Sequence, residues 1–346
     1  IRKVLDSPDV DYLVAVEYNQ RTSGHPHSVS APTESYTLHN KMFMDEADIR
    51  TFLDGQKNWG YAGDEKGTES MIRKMFALSF TRGHAIHWYD LFGGWFDHPA
   101  IERMIGDVQK VAERHLSATV TPAEIAVVCD EESLIHATSA IRRETGRTMN
   151  HLQNGVLGRI GAPFDLYFAD DLAAAPNYRM YIFQCCHKST PALLKAARLL
   201  RKRDCTILWT YAPGYVCDAG NSIASMKELT GLDFVRCEGR LDPELTLADG
   251  SRTGAVLTGL DPLFAAVGAD EVLGRYADGS AGLVRTRTGR ARTVFSGSYV
   301  LETPLLQKLA RDAGVFLYSD SRDPVEANER FVTLHARRAG EKTIRL

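Results

Sequence analysis

What this sequence lacks narrows the field first. No apolar run reaches the ~18 residues that a membrane-spanning helix needs. Neither sign of charge dominates. The 41 Lys and Arg set against 44 Asp and Glu leave a net charge of −3, so no basic field invites nucleic acid or an acidic membrane. The six cysteines (Cys129, Cys185, Cys186, Cys205, Cys217 and Cys237) contain no Cys-x-x-Cys pair, which removes the usual zinc spacing. Several stand in apolar runs such as "IAVVCDE" and "RDCTILW", where cysteine serves as a small buried hydrophobe. A reducing, cytoplasmic setting is the expectation. The G-x-G-x-x-G pattern is missing too, so "FGGWFDHPAI" reads as a turn before a helix and not as a phosphate cradle. No metal and no cofactor is expected. The chain opens on Ile1 with neither methionine nor a signal-like segment, so a fragment or trimmed chain is expected.

What is present is an alternation of strands and helices, which predicts an α/β fold with parallel sheets. The 346 residues suggest about two domains. "DYLVAVEY" (11–18), "NKMFMDE" (40–46) and "HAIHWYDLF" (84–92) read as strands. "GTESMIRKMFALSFTRG" and "HPAIERMIGDVQKVAERHL" read as amphipathic helices, their apolar residues recurring at helical spacing. After Thr121-Pro122 the pattern restarts. Strands are expected in "AEIAVVCD", "FDLYFADDL", "YRMYIFQC", "CTILWTYAPG" and "ARTVFSGSY", with helices in "PALLKAARLLRKR", "SIASMKELTG" and "TPLLQKLARDAG". This second domain is expected to be open and doubly wound. The ending "RFVTLHARRAGEKTIRL" predicts a β-hairpin turning at its Ala-Gly step.

One stretch carries chemistry. In "HNKMFMDEADIRTFL" (39–53) an apolar strand stops at Asp45-Glu46, with Asp48 and Arg50 close behind. Carboxylates at the carboxyl end of a parallel strand stand where barrel enzymes build their sites. Glycoside hydrolysis needs such groups, one to attack or activate water and one to protonate the leaving oxygen. Trp59, Tyr61, Trp88, Tyr89, Phe92, Trp95 and Phe96 fall in loops or strand ends, where aromatic rings can stack on sugar faces. Arg50 could hold Glu46 or Asp45 ionised. The competing reading makes "DEAD" a helix N-cap, its acids complementing the helix dipole.

"KMFMDEADIRTFL" followed by "LSFTRGHAIHWYDLFGGWFDHPAI" resembles the last two strand–helix units of the barrel in glycoside hydrolase family 42 β-galactosidases. "YRMYIFQCCHKSTPALLKAARLLRKRDCTILWTYAPGYV" with "KELTG" resembles that family's trimerisation domain, flavodoxin-like and related to class I glutamine amidotransferases. "LHARRAGEKTIRL" resembles the start of its small C-terminal β domain. The resemblance implies the C-terminal portion of a (β/α)8 barrel at 1–118, the trimerisation domain at 119–322 and the opening of the β domain at 323–346. It implies a retaining β-galactosidase-like enzyme acting on carbohydrate, assembled as a homotrimer. Glu46 falls on the nucleophile position, with Asp45 as the second candidate. Trp88, Asp90, Tyr18 and Arg21 fall on positions lining the sugar pocket, and Asp45, Arg50 and Trp95 join them as substrate contacts. The family's general acid/base sits on a barrel strand that this chain does not contain, and Glu17 is the only local substitute.

Two rival sites and one rival class complete the reading. Cys185-Cys186-His187 lies between a strand and a helix, where an amidotransferase keeps its nucleophile, but lacks the glycines such a turn calls for. His84, His87 and Asp90 suggest a metal site, yet positions 84 and 87 of one strand point to opposite faces. A partial barrel fused to an oligomerisation domain could also be an assembly module with no catalysis of its own.

Overall fold

Short parallel strands followed by amphipathic helices define the first part of the chain. The structure, a computed structural model, describes residues 1–16, 24–25, 31–57, 60–91, 93–117, 120–136, 154–239, 242–254 and 260–346. The chain divides into two units: Ile1–Ala123 with Leu157–Pro163 and Leu317–Leu346, and Glu124–Val156 with Phe164–Phe316.

The first unit contains α1 (Arg2–Leu5), β1 (Tyr12–Val16), α2 (Thr33–Leu38), β2 (Met42–Ala47), α3 (Glu65–Thr81), β3 (Ala85–Trp88) and α4 (Pro99–Arg114). The strands form one parallel sheet in the order β1-β2-β3. Asp64 caps α3, its carboxylate accepting the Gly67 N–H at 2.7 Å. Gly67 cannot carry a side chain there, because a Cβ would sit 1.9 Å from the Ala62 carbonyl oxygen. Pro99 opens α4 behind His98, whose Nδ1 accepts the Ala100 N–H at 3.2 Å. The apolar stripes of both helices bury Met71, Ile72, Met75, Ile101 and Val108 against Ala47 and Ile49.

That core covers one face of the sheet only. The other face leaves Tyr12, Val14, Val16 and Met42 between 42% and 51% exposed. Parallel sheets are ordinarily covered on both faces, so this apolar face is unusual.

The hairpin near the end differs from expectation. Its strands are Val325–Ala327 and Val332–Leu334, and the chain turns at 328–331, not at Ala339-Gly340. The reason is local: the Asn328 side-chain oxygen accepts the N–H groups of Arg330 and Phe331 and folds the turn itself.

The second unit holds β4 (Ile125–Cys129), α5 (Glu131–Ile135), β5 (Asp165–Phe168), β6 (Met180–Gln184), α6 (Pro191–Leu200), β7 (Thr206–Thr210), β8 (Val216–Cys217), β9 (Gly220–Asn221), α7 (Ile223–Thr230), β10 (Asp233–Arg236), β11 (Leu245–Leu247), β12 (Arg252–Thr253), β13 (Phe264–Val267), β14 (Glu271–Arg275), β15 (Ala281–Thr288), β16 (Ala291–Ser296) and α8 (Thr303–Asp312). Its main sheet is nine-stranded, β12-β11-β14-β15-β16-β7-β6-β4-β5. The segment β5-β4-β6-β7-β16 is parallel throughout. Counted along the chain, its order is second, first, third, fourth, fifth, one of the common doubly wound arrangements. All residues of β4, β6 and β7 are buried, as strands between two helical layers require. The antiparallel extension β12-β11-β14-β15 had no counterpart in the expectations, because β11 and β12 are only a few residues long and the extension carries exposed charges such as Glu271, Arg275 and Arg252.

Candidate active site

Alternation along β2 sorts its carboxylates. Phe43, Asp45 and Ala47 are buried toward the helices, while Met42, Met44 and Glu46 take the other face. Asp45 is 2% exposed. It accepts a 2.6 Å hydrogen bond from Ser79 Oγ of α3 and pairs with His84 Nδ1 at 3.0 Å. These contacts pin β2 to the helix behind it and engage Oδ2 of a carboxylate turned away from the open face.

The Glu46 side chain is partly exposed and its carboxylate makes no hydrogen bond or ion pair with any described residue. Its strand neighbours in register are Val16 and His87. Residues paired in register share a face, so Glu46 and His87 stand together at the carboxyl ends of the strands. The Tyr89 ring lies 5.8 Å from that of His87, edge-on. His87 was expected only as part of a rival metal site, and Tyr89 only among the aromatics able to stack on sugar. The signal was available in principle: both share the face of Glu46 once β3 is aligned on β2.

The remaining expected residues are placed as follows. Arg50 does not reach Asp45 or Glu46. It is 5% exposed, pairs with Asp48 at 3.6 Å, and sets its guanidinium carbon 4.1 Å from the centre of the Trp95 ring. Trp95 is buried in turn. Its N–H donates to Asp90 Oδ2 at 3.0 Å, and its carbonyl accepts from the Thr51 hydroxyl. Asp48, Arg50, Thr51, Asp90 and Trp95 therefore form one connected cluster joining the segments after β2 and β3. Within it the Trp95 indole is covered by Arg50 and not open for stacking. Trp88 pairs with Ala47 in register and packs with Phe96, 6.3 Å between ring centres, which puts its indole in the helix-side core. Tyr18, Arg21 and Glu17 lie outside the described residues. "DEAD" is not a helix cap: the strand runs through Ala47, and the next helix takes Asp64 instead. His84 and His87 do point to opposite faces, His84 to Asp45 and His87 to the open side.

In the second unit the turn after β6 needs no glycine, because Cys185 itself takes the left-handed conformation at φ 54°. The Cys185 and Cys186 thiols are 1% exposed, and burial pushes both well above the ordinary thiol range. His187 pairs its Nε2 with the Tyr299 hydroxyl at 2.6 Å, and burial pushes it down to about 4. A protonated, enclosed thiol is a poor nucleophile.

The fold that carries this geometry is shared with β-galactosidases. That from Rahnella sp. R3 matches 92% of this chain and 53% of its own, with a TM-score of 0.60 at 13% identity. That from Bacillus circulans sp. alkalophilus matches 92% and 56%, with a TM-score of 0.58 at 14% identity. The family 42 glycoside hydrolase β-galactosidase from G. stearothermophilus matches 75% and 43%, with a TM-score of 0.55 at 15% identity. The chain thus spans about half the length of the solved structures it matches. No protein-family profile and no curated protein matches the sequence.

Proposed function

We propose that this chain is the C-terminal part of a carbohydrate-active, retaining β-glycosidase of the β-galactosidase kind. The first unit is read as the last strand–helix units of a (β/α)8 barrel, and the second as a flavodoxin-like domain through which the protein forms a homotrimer. The hairpin strands are read as the opening of a small β domain. Glu46 is the nucleophile. It attacks the anomeric carbon to give a glycosyl ester, while a carboxylic acid from outside this chain protonates the leaving oxygen and then activates water. Retaining enzymes hold the two carboxyls ~5 Å apart. Tyr18, Arg21 and Asp90 are read as contributors to the sugar pocket, and His87 and Tyr89 as its wall beside the nucleophile.

The observation that carries this reading is Glu46 itself: a carboxylate without partners among the described residues, at the carboxyl end of a central parallel strand, on the face away from the helices. A structural carboxylate is normally bonded, as Asp45 is. The test is hydrolysis of aryl β-D-galactosides by the protein with its complete barrel. Glu46→Gln should lower kcat by ~10⁴ while the fold is kept, and a 2-deoxy-2-fluoro glycoside should label the peptide containing Glu46. An undiminished rate in the variant overturns the assignment.

The exposed apolar face of Tyr12, Val14, Val16 and Met42 favours a second reading, an assembly module without catalysis. A monodisperse oligomer in light scattering that binds no sugar would select it. The amidotransferase-like alternative rests on Cys185 or Cys186, whose burial speaks against it; alkylation without loss of function removes it.

A further inference from the structure

Basic side chains from distant parts of the first unit gather around residues 24 and 25, in the loop after β1. His335 Nε2 accepts the Gly24 N–H at 2.9 Å. Arg337 lies against Gly24, its Cα and Cγ both 3.5 Å from the position a Cβ would take. Arg159 Nη2 reaches His25 Nδ1 at 3.1 Å. Lys74, 6% exposed, lines with His335 a cavity of about 250 Å³.

These groups strain one another. Burial first, then the charges of Arg159, Lys74 and Arg337, push His25 below the ordinary imidazole value. Burial and Arg337 push Arg159 down as well. His335 is lowered to about 4 by burial and Lys74, against the pull of Asp323. That carboxylate is already engaged, accepting the Arg337 N–H at 2.8 Å and pairing with Lys342 at 2.9 Å. Glu326, on the cavity wall, is itself raised to about 7 by burial. The Arg337 guanidinium has no hydrogen bond or ion pair among the described residues, and Arg159 Nε is buried without a partner among them. A buried guanidinium N–H left unbonded costs free energy that an incoming acceptor would return.

We infer that Arg159, Arg337 and His25 form an oxyanion site for a phosphate group carried by a small molecule, with Lys74 and His335 supplying further positive field. Two guanidinium forks match the tetrahedral oxygens of phosphate, and a dianion offsets the repulsion among the cations. Neither arginine touches Glu46, and the site stands whether or not the chain is a glycosidase.

Binding carries a second signature. His25 and His335 each accept a hydrogen bond at a ring nitrogen, so each ring is neutral without ligand. An anion placed beside them favours their charged forms, so binding is coupled to proton uptake and strengthens as pH falls. Sulfate is the probe that isolates this, because its own charge does not change there. Sulfate and inorganic phosphate are titrated into the whole chain by calorimetry, at ionic strength held constant with sodium chloride, in two buffers of different ionisation enthalpy. Saturable binding is expected, tighter at pH 6 than at pH 8 for sulfate, with a buffer-dependent enthalpy. Arg337→Gln and Arg159→Gln should each weaken it at least about tenfold. Arg337 is exposed, so its variant keeps the fold and the test valid. No saturable binding at constant ionic strength, or binding equally tight in both variants, overturns the site.

Discussion

Asp45 and Glu46 are consecutive in sequence and face opposite ways: Asp45 is locked between Ser79 and His84 behind the sheet, and Glu46 stands unbonded among the described residues on its open side.

That division predicts unequal stability costs. Asp45→Ala leaves Ser79 and His84 without their buried acceptor and should cost ~2–3 kcal/mol in urea unfolding. Glu46→Gln removes no bond and should stay within ~0.5 kcal/mol of the parent. Equal costs would mean that Asp45 does not anchor β2.

Glu326 predicts a pH dependence. Its carboxyl is raised from 4.5 to about 7, chiefly by burial, with Arg82 and His84 opposing. The folded state then binds more protons than the unfolded chain between those values. Its contribution is fully present below pH 4.5 and is lost as pH rises through 7. Comparing Glu326→Gln with the parent across pH 4.5 to 8 should show the variant gaining ~2–3 kcal/mol relative to the parent at the alkaline end. A constant difference between the two curves refutes this.

His187 has the opposite sign. Burial depresses its imidazole to about 4, so its contribution is present above its ordinary value and is lost as pH falls below it. Tyr299→Phe removes the partner of Nε2 and should destabilise the protein by ~1–2 kcal/mol at neutral pH. Thermal unfolding of the variant checks this; an unchanged melting temperature would show that the bond contributes nothing.

Thiol accessibility follows from burial. Cys217 is the half-exposed cysteine, while Cys129, Cys185, Cys186, Cys205 and Cys237 are buried. Iodoacetamide should label Cys217 first in the native protein, and the others only on unfolding. Mass spectrometry of timed samples reads the order. Early labelling of Cys185 or Cys186 would reopen the case for a reactive thiol.

Much of the site's scaffold was legible in the sequence. The period-two pattern of "KMFMDEA" is enough to set Asp45 and Glu46 on opposite faces of a strand. The helical spacing of Met71, Ile72 and Met75 names the residues of α3 that close one side of the sheet. The Pro-opened helices and the Gly231 stop are equally local signals, and Gly231 does take the left-handed conformation at φ 80°.

Partner choice was not legible. The sequence by itself determined the strand–helix rhythm and the parity of each side chain, because backbone sterics and local burial patterns act over a few residues. Only the tertiary structure decided that Asp45 meets Ser79 and His84, that Arg50 covers Trp95 and leaves Glu46 alone, and that Arg159 and Arg337 converge on residues 24 and 25. Those contacts join residues tens to hundreds of positions apart, and no local rule says which distant side chain fills a given space.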